Sequence, residues 1–329
     1  MNLKGKRVFV TGAGGFIGSH LCSQLVQSGA KVTAMLHYNS RSDWSNLEFL
    51  SKTVLDSIEV IKGNIEDSSF MDSKTKGHSI IFHLAALIGI PYSYEAPLSY
   101  VKTNIQGTVN VMESARKNGV ELVINTSTSE TYGSAIYTPI DELHPLQAQS
   151  PYSATKISAD KIAESYFNSF SLPIITIRPF NTYGPRQSSR AVIPAIISQV
   201  LTQEQVTLGD LSPVRDFTYV EDTANGFICA ARENNHLGEV INLGYGQAIT
   251  IGETAELIMK IMGADKQIVS ESKRVRPKDS EVLELISNNE KAKELLGWKP
   301  EIEFSVGLEK TIEFVSTNID LFKTDSYNI

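Results

Sequence analysis

Arg7-Val8-Phe9-Val10-Thr11-Gly12-Ala13-Gly14-Gly15-Phe16-Ile17-Gly18 is the stretch whose reading decides the fold. Residues 7–11 are a short apolar run of the kind that forms a buried strand. Apolar positions then recur at helical spacing, at Ile17, Leu21, Leu25 and Val26, and stop at Gly29. Strand, glycine turn and helix in that order are the context a dinucleotide-binding turn requires. Gly12 is expected to make the tight turn, Gly15 to admit a pyrophosphate to the backbone, and Gly18 to let helix and strand pack closely. Free amides and the helix dipole at Phe16 and Ile17 favour phosphate there.

The same alternation continues outward. Lys31 to Leu36, Ile58 to Ile61, Ser79 to Leu84, Glu121 to Asn125 and Pro173 to Pro179 read as strands. Long helices are predicted from Tyr100 to Asn118 and from Ser150 to about Phe170. The pattern predicts an α/β fold, a Rossmann-type doubly wound parallel sheet. Past Pro179 the segments shorten, and Arg, Gly and Pro punctuate them. A helix from about Val220 to Arg232 and a strand from Glu239 to Leu243 return to the first pattern, and a further helix runs from Asn288 to Leu296. The expected organisation is an NAD(P)-binding domain of residues 1–179 and about 217–246. A smaller, interleaved C-terminal lid of about 180–216 and 247–329 would bind the substrate.

Composition narrows the class. The 329 residues carry a net charge of -7, so there is no basic footprint for nucleic acid. No apolar run approaches the ~20 residues of a membrane helix. Met1 to Lys6 is polar and leads straight into a strand, so no signal peptide is expected. Cys22 and Cys229, the two cysteines, both read as buried thiols. A reducing cytoplasm without disulfide or metal cluster fits them.

Several stretches carry chemistry. NAD-binding folds place an acid near the end of the second strand for the ribose 2′-hydroxyl. Here that region reads Leu36-His37-Tyr38-Asn39-Ser40-Arg41, with no acid before Asp43. The missing carboxylate with Arg41 close by favours NADP, whose 2′-phosphate an arginine can hold, with NAD as the alternative; His37 and Arg41 belong to the expected cofactor set. Asn64 and Ile65 are placed to meet an adenine, and the small Ala85 and Ala86 after Leu84 let the backbone approach a cofactor. Asn104, Thr126 and Pro179 complete the expected cofactor set. His83 reads as a packed core residue. Tyr152 and Lys156 are one turn apart on one helix face. A phenol titrates near ~10, and a neighbouring ammonium is expected to lower that value. Such a Tyr takes a proton from a hydroxyl while a hydride leaves the same carbon. Thr126-Ser127-Thr128-Ser129-Glu130 follows the fifth strand, where α/β sheets place ligands. Arg186, Arg215 and Arg276, all in lid segments, suit a diphosphate.

These residues resemble the extended short-chain dehydrogenase/reductase family that modifies nucleotide sugars. The motifs are Thr11-Gly12-x-x-Gly15-x-x-Gly18, His83-x-Ala85-Ala86, Tyr152-x-x-x-Lys156, Arg178-Pro179-x-Asn181-x-Tyr183-Gly184-Pro185 and Arg215-Asp216-Phe217. The resemblance implies Tyr152 as redox base, Lys156 on the nicotinamide ribose and Thr128 on the sugar 4-hydroxyl. It implies a substrate wall that includes Asn181, Arg186, Arg190, Val192, Arg215 and Arg276. Glu130 favours a 4,6-dehydratase over a 4-epimerase, because removal of a C5 proton needs a base. Glucose-type dehydratases show Thr-Asp-Glu here. This chain has Ser129, which resembles GDP-mannose 4,6-dehydratases and also UDP-glucuronate decarboxylases. The stretches Ala86 to Tyr94, His37 to Ser40 and Pro185 to Pro194 are similar to the GDP-N-acetylglucosamine 4,6-dehydratases of legionaminic acid biosynthesis. In this family the Tyr-Lys helix and the one before it pair across a two-fold, which implies a homodimer or a dimer of dimers.

Overall fold

The computed structural model describes residues 1–40, 42–271 and 282–322. Seven strands build one sheet: β1 (Arg7–Thr11), β2 (Lys31–His37), β3 (Ile58–Gly63), β4 (Ile80–His83), β5 (Leu122–Thr126), β6 (Ile174–Pro179) and β7 (Val240–Leu243). Their spatial order is β7-β6-β5-β4-β1-β2-β3, and every neighbouring pair is parallel. The winding reverses between β1 and β4. Connections leave in opposite directions there, and a crevice opens at the carboxyl ends.

The larger helices are α1 (Phe16–Gln27), α2 (Gly107–Lys117), α3 (Pro151–Phe170), α4 (Val192–Thr202), α5 (Val220–Arg232), α6 (Ile251–Ile261) and α7 (Phe304–Thr317). Alternate strand residues serve opposite faces. Val8 and Val10 pack with Leu21 and Leu25 of α1 and Phe227 of α5. Phe9, between them, packs with Val111 and Met112 of α2 and Ala163 of α3. Both faces are covered, so the strands read as continuous apolar runs. A separate core joins Ile193 and Ile197 of α4, Phe217, Tyr219, Ile258 of α6 and Leu308 of α7. Phe217–Tyr219 pairs in parallel with Asn181–Tyr183, which ties the start of the second body to the return segment.

Two local features position the site. Ser150 caps α3, with Ser153 returning the bond and Pro151 in the first turn, so Tyr152 is fixed where the helix begins. The helix expected from Tyr100 to Asn118 is three pieces: Pro97–Tyr100, a π-helical stretch Val101–Gln106, and α2. The extra residue per turn turns Asn104 inward. Its side chain accepts from Leu87 N at 2.8 Å and donates to Leu87 O at 2.9 Å and to Thr155 Oγ1 at 3.0 Å. A π-bulge at a functional site is the usual use of this distortion.

Candidate active site

The glycine turn is a cradle that side chains would fill. Gly12 has a left-handed φ of 70°, and a Cβ there would lie 2.8 Å from the Ala85 amide nitrogen. A Cβ on Gly18 would lie 2.2 Å from the Gly12 carbonyl oxygen. Gly15 caps α1 with no side-chain hydrogen bond, and the first turn holds no acid. The leading amides therefore face the crevice and suit the phosphates of a dinucleotide.

Thr11 and His83 hold the neighbouring loop. Thr11 Oγ1 accepts from Leu84 N and Ala85 N, both at 3.1 Å, and meets His83 Nδ1 at 2.9 Å. Thr108 gives its proton to Asn104 O at 2.6 Å, so it accepts from His83 Nε2 at 3.1 Å. His83 is thus neutral, with Nδ1 as acceptor. Burial, aided by the Lys156 charge, lowers its pKa to about 3. It is a core residue, not a base.

The crevice holds a cavity of about 640 Å³. Gly12, Gly15, Phe16 and Ile17 line one end, and His37, Asn64 and Ile65 line the wall beside β2 and β3. Leu84, Ala85 and Ala86 form the middle. Thr126, Thr128, Ser129, Glu130, Tyr152 and Lys156 gather opposite them, with Pro179 and Asn181 closing the far side. Asn104 does not line the cavity; it clamps the Leu87 backbone instead. Arg41 and Arg276 lie outside the described residues.

The geometry corrects the expected Tyr–Lys electrostatics. Lys156 Nζ donates to the Thr126 carbonyl at 2.6 Å. Burial lowers the Lys156 pKa, opposed by Asp160 one turn along. Burial raises Tyr152, a hydrogen bond with Thr128 pulls it back, and the Glu130 charge raises it further. Desolvation, invisible in the four-residue spacing, outweighs any help from the lysine in this state of the protein. Thr128 also caps the short 3-10 turn Ser129–Thr131, accepting from Glu130 N at 3.3 Å. That turn presents Glu130 beside Tyr152.

Among the described residues, the lid arginines Arg186, Arg190 and Arg215 do not line the cavity. Arg186 Nη2 bonds His20 Nδ1 on α1 at 2.8 Å. Arg215 is buried and donates to Val214 O at 3.0 Å. The Arg190 guanidinium lies against Gly89, where a Cβ would be 3.1 Å away, and Val192 packs on the second core. Residues given no site role in the sequence reading take part instead. Ser45 and Asn39 line the end of β2, Thr103 the π-helical stretch, and Phe180, Thr182 and Gln187 the wall beyond β6. Among the described residues, three buried side-chain oxygens on the cavity lining have no partner: Thr126 Oγ1, Asn181 Oδ1 and Gln187 Oε1. Buried acceptors require donors, and hydroxyls or amides of a ligand provide them. Gln187 adjoins the quoted Asn181-x-Tyr183-Gly184-Pro185 motif and falls in the Pro185 to Pro194 stretch, the two sequence signals that pointed to it.

Residues 9–311 match the family model described as GDP-mannose 4,6 dehydratase. The chain belongs to this family. The family includes both dehydratases and epimerases of nucleotide sugars among its relatives. The UDP-glucose 4-epimerase of Mycolicibacterium smegmatis is 32% identical over 94% of this chain and 98% of its own. The UDP-glucose 4-epimerase structure from Thermotoga maritima, solved with UDP-glucose, has a TM-score of 0.86 at 31% identity, covering 95% of this chain and 99% of that one. The dTDP-glucose 4,6-dehydratase DesIV of Streptomyces venezuelae, solved with NAD bound, has a TM-score of 0.84 at 26% identity, covering 96% and 99%. This dehydratase/epimerase family uses a nicotinamide dinucleotide, and the glycine cradle fits one. No helix among the described residues is long and apolar enough to cross a membrane. Among them, too, no group of His, Cys, Asp and Glu is arranged to hold a metal ion. Cys22 is buried and Cys229 only partly so, and neither is in a disulfide.

Proposed function

We propose that the protein is a nucleotide-sugar 4,6-dehydratase, making a 4-keto-6-deoxy sugar. One observation carries this: Glu130 is the only carboxylate lining the cavity among the described residues, and it stands beside Tyr152. Tyr152 takes the proton from the sugar O4, with Thr128 holding that hydroxyl and Lys156 holding the nicotinamide ribose. A bound nicotinamide supplies the hydride acceptor for C4 and the hydride donor for C6. The new ketone acidifies C5, and Glu130 removes that proton. Ser129, buried on the cavity wall, bridges Glu130 to the departing O6, since a serine alone is too weak an acid.

The substrate class is a nucleoside diphosphate hexose, with GDP-N-acetylglucosamine the first candidate on the subfamily likeness. Asn181 and Gln187, which line the cavity with unpartnered side-chain oxygens among the described residues, would bind the sugar nucleotide. For the cofactor, the wall at His37, Asn39 and Ser45 has no carboxylate among the described residues to repel a 2′-phosphate, which supports NADP. Leu98 and Val101, exposed on the helical segment before α2, support pairing of two chains across a two-fold. Unpaired thiols support a cytoplasmic location.

The test is mass spectrometry after incubation with GDP-N-acetylglucosamine, GDP-mannose, UDP-N-acetylglucosamine and dTDP-glucose. Loss of one water without net cofactor consumption is expected; no water loss from any of them sinks the reading. The second reading, epimerase or UDP-glucuronate decarboxylase, rests on Ser129 standing where glucose-type dehydratases carry an Asp. Interconversion of UDP-glucose and UDP-galactose, or carbon dioxide release from UDP-glucuronate, would establish it.

A further inference from the structure

Three residues on one face of α3 meet three consecutive residues at the end of β5. Tyr152, Lys156 and Asp160 are spaced by four and stack one turn apart. Facing them are Thr126, Ser127 and Thr128. The Thr126 carbonyl accepts from Lys156 Nζ at 2.6 Å, Ser127 Oγ donates to Asp160 Oδ2 at 2.6 Å, and the Thr128 hydroxyl is hydrogen-bonded to the Tyr152 phenol. The Ser127 amide donates to Ile177 O in β6 at 2.7 Å, so the chain is pinned on both sides at its middle residue.

We propose that Asp160, acting through Ser127, is a positioning residue for the Tyr152–Lys156 pair. It fixes the three-residue segment whose first and last members hold Lys156 and Tyr152, and it supplies the negative charge that matches the buried ammonium. The proposal rests on the reading of Tyr152 and Lys156 as the redox pair.

The surroundings of Asp160 favour this over a purely stabilising role. Arg178 Nη2 donates to Asp160 Oδ2 at 2.8 Å, and both side chains are almost wholly buried. A buried ion pair often gains nothing over apolar packing, so stability alone is a weak account of this one. Arg178 also donates to Tyr132 Oη at 2.8 Å and to Ser127 Oγ at 3.3 Å, and its guanidinium lies 4.7 Å from the Tyr132 ring centre. It therefore buttresses Ser127 from the same side as Asp160. The second carboxylate oxygen, Oδ1, is buried without a partner among the described residues, and Asp160 lines a separate cavity of about 370 Å³. Asp160 thus spends both its hydrogen bonds on the oxygen that faces the catalytic segment. The groups around Lys156 are Tyr152 and Asp160 on α3, neutral His83 on β4, Glu130 across the cavity and Arg178 behind Asp160. Of these, Asp160 is the one that opposes the effect of burial on Lys156.

The experiment measures NAD(P)H affinity against pH by nicotinamide fluorescence, in folded variants. Asp160→Asn leaves Arg178 buried without a counter-charge, so Asp160→Asn/Arg178→Gln is made alongside it; Ser127→Ala keeps the ion pair. Lys156 holds the ribose as an ammonium, so affinity falls where it deprotonates. Removing Asp160 lowers that point, and the alkaline fall should move down by about one pH unit. Ser127→Ala should leave the midpoint in place but lower kcat on the order of tenfold at nearly constant KM, on whichever nucleotide sugar the wild type converts. An unmoved midpoint in the folded Asp160 variants, or a folded Ser127→Ala with wild-type kcat, overturns the proposal. If the wild type converts no nucleotide sugar, the functional reading fails, and the cofactor titration still judges Asp160.

Discussion

Arg186 and His20 lock the second body of the fold onto the helix that follows the glycine turn: Arg186 Nη2 donates to His20 Nδ1 at 2.8 Å. Arg186 Nε and Pro185 O lie 3.1 Å and 3.0 Å from His20 Nε2, and burial with the adjacent guanidinium lowers the ring's pKa to about 3, so it is neutral. Arg186 itself has a φ of 71°, a left-handed backbone that costs a non-glycine residue roughly 1–2 kcal/mol. It persists because the residue is held at both ends: its carbonyl accepts from Asn46 Nδ2 at 3.2 Å while its side chain grips α1.

His20→Ala should therefore loosen the wall that follows β6 without touching the reacting groups. Gln187, next to Arg186, lines the cavity together with Asn181 and Thr182. KM for the nucleotide sugar should rise severalfold more than kcat falls. The Arg186 group left unpaired should cost about 1–3 kcal/mol of stability. Steady-state kinetics and urea unfolding check both. A fall in kcat at constant KM would show that the latch serves the chemistry instead.

Gly18→Ala tests the cradle. Its Cβ would sit 2.2 Å from a backbone oxygen of the same turn, which no rotamer can relieve. Overpacking of this kind costs about 1–3 kcal/mol, and here the shift would fall on the amides that face the phosphates. Dinucleotide affinity should drop at least tenfold in equilibrium titration. Retained affinity would mean that the turn can yield elsewhere.

How much of this was legible beforehand differs from element to element. β1, the glycine turn and α1 were legible because local order and spacing signal them: an apolar run, glycines at the spacing of a tight turn, then apolar residues at helical period. The parallel sheet followed from strands long enough in apolar residues to be covered on both faces. The π-helical stretch at Val101–Gln106 was not legible, because Asn104 is drawn inward by the Leu87 backbone, a tertiary cause that leaves the helical spacing intact. Arg186 was expected to face a diphosphate, but its partner His20 lies 166 positions away and nothing local signals it. The Tyr152 environment was misjudged for a related reason. Spacing places a lysine nearby, but burial decides the sign.

Glu130→Gln separates the two halves of the proposed reaction. The Glu130 charge raises Tyr152, so neutralising it should lower the phenol's pKa and move the alkaline rise of C4 oxidation to lower pH. Reduced cofactor absorbance should still form on mixing with substrate. Loss of water should fall by about 10²–10⁴-fold, the usual worth of a positioned general base. Mass spectrometry and absorbance on the same samples read both. A variant that dehydrates normally would remove Glu130 from the chemistry.

His83 gives a pH signature of the folded state. Its folded pKa of about 3 lies below the ordinary value of 6.5, so the unfolded chain binds the proton first as pH falls. The stability this contributes is complete above about pH 6.5 and is lost progressively towards pH 3, at about 1.4 kcal/mol per unit. His20 has the same sign. Asp216, held by the amides of Tyr245, Gly246 and Ser287 but pushed up to about 6 by burial, has the opposite sign, because the folded state binds its proton first. Total acid sensitivity therefore mixes opposing contributions, and a single unfolding curve does not isolate His83. Comparison with His83→Gln does. The variant is less stable near neutrality, since Thr11 and Thr108 lose a matched partner, but its urea midpoint should fall less steeply between pH 6 and 4. Parallel slopes for the two proteins would mean that His83 takes up a proton in the folded state, and the neutral Thr11–His83–Thr108 chain would have to be abandoned.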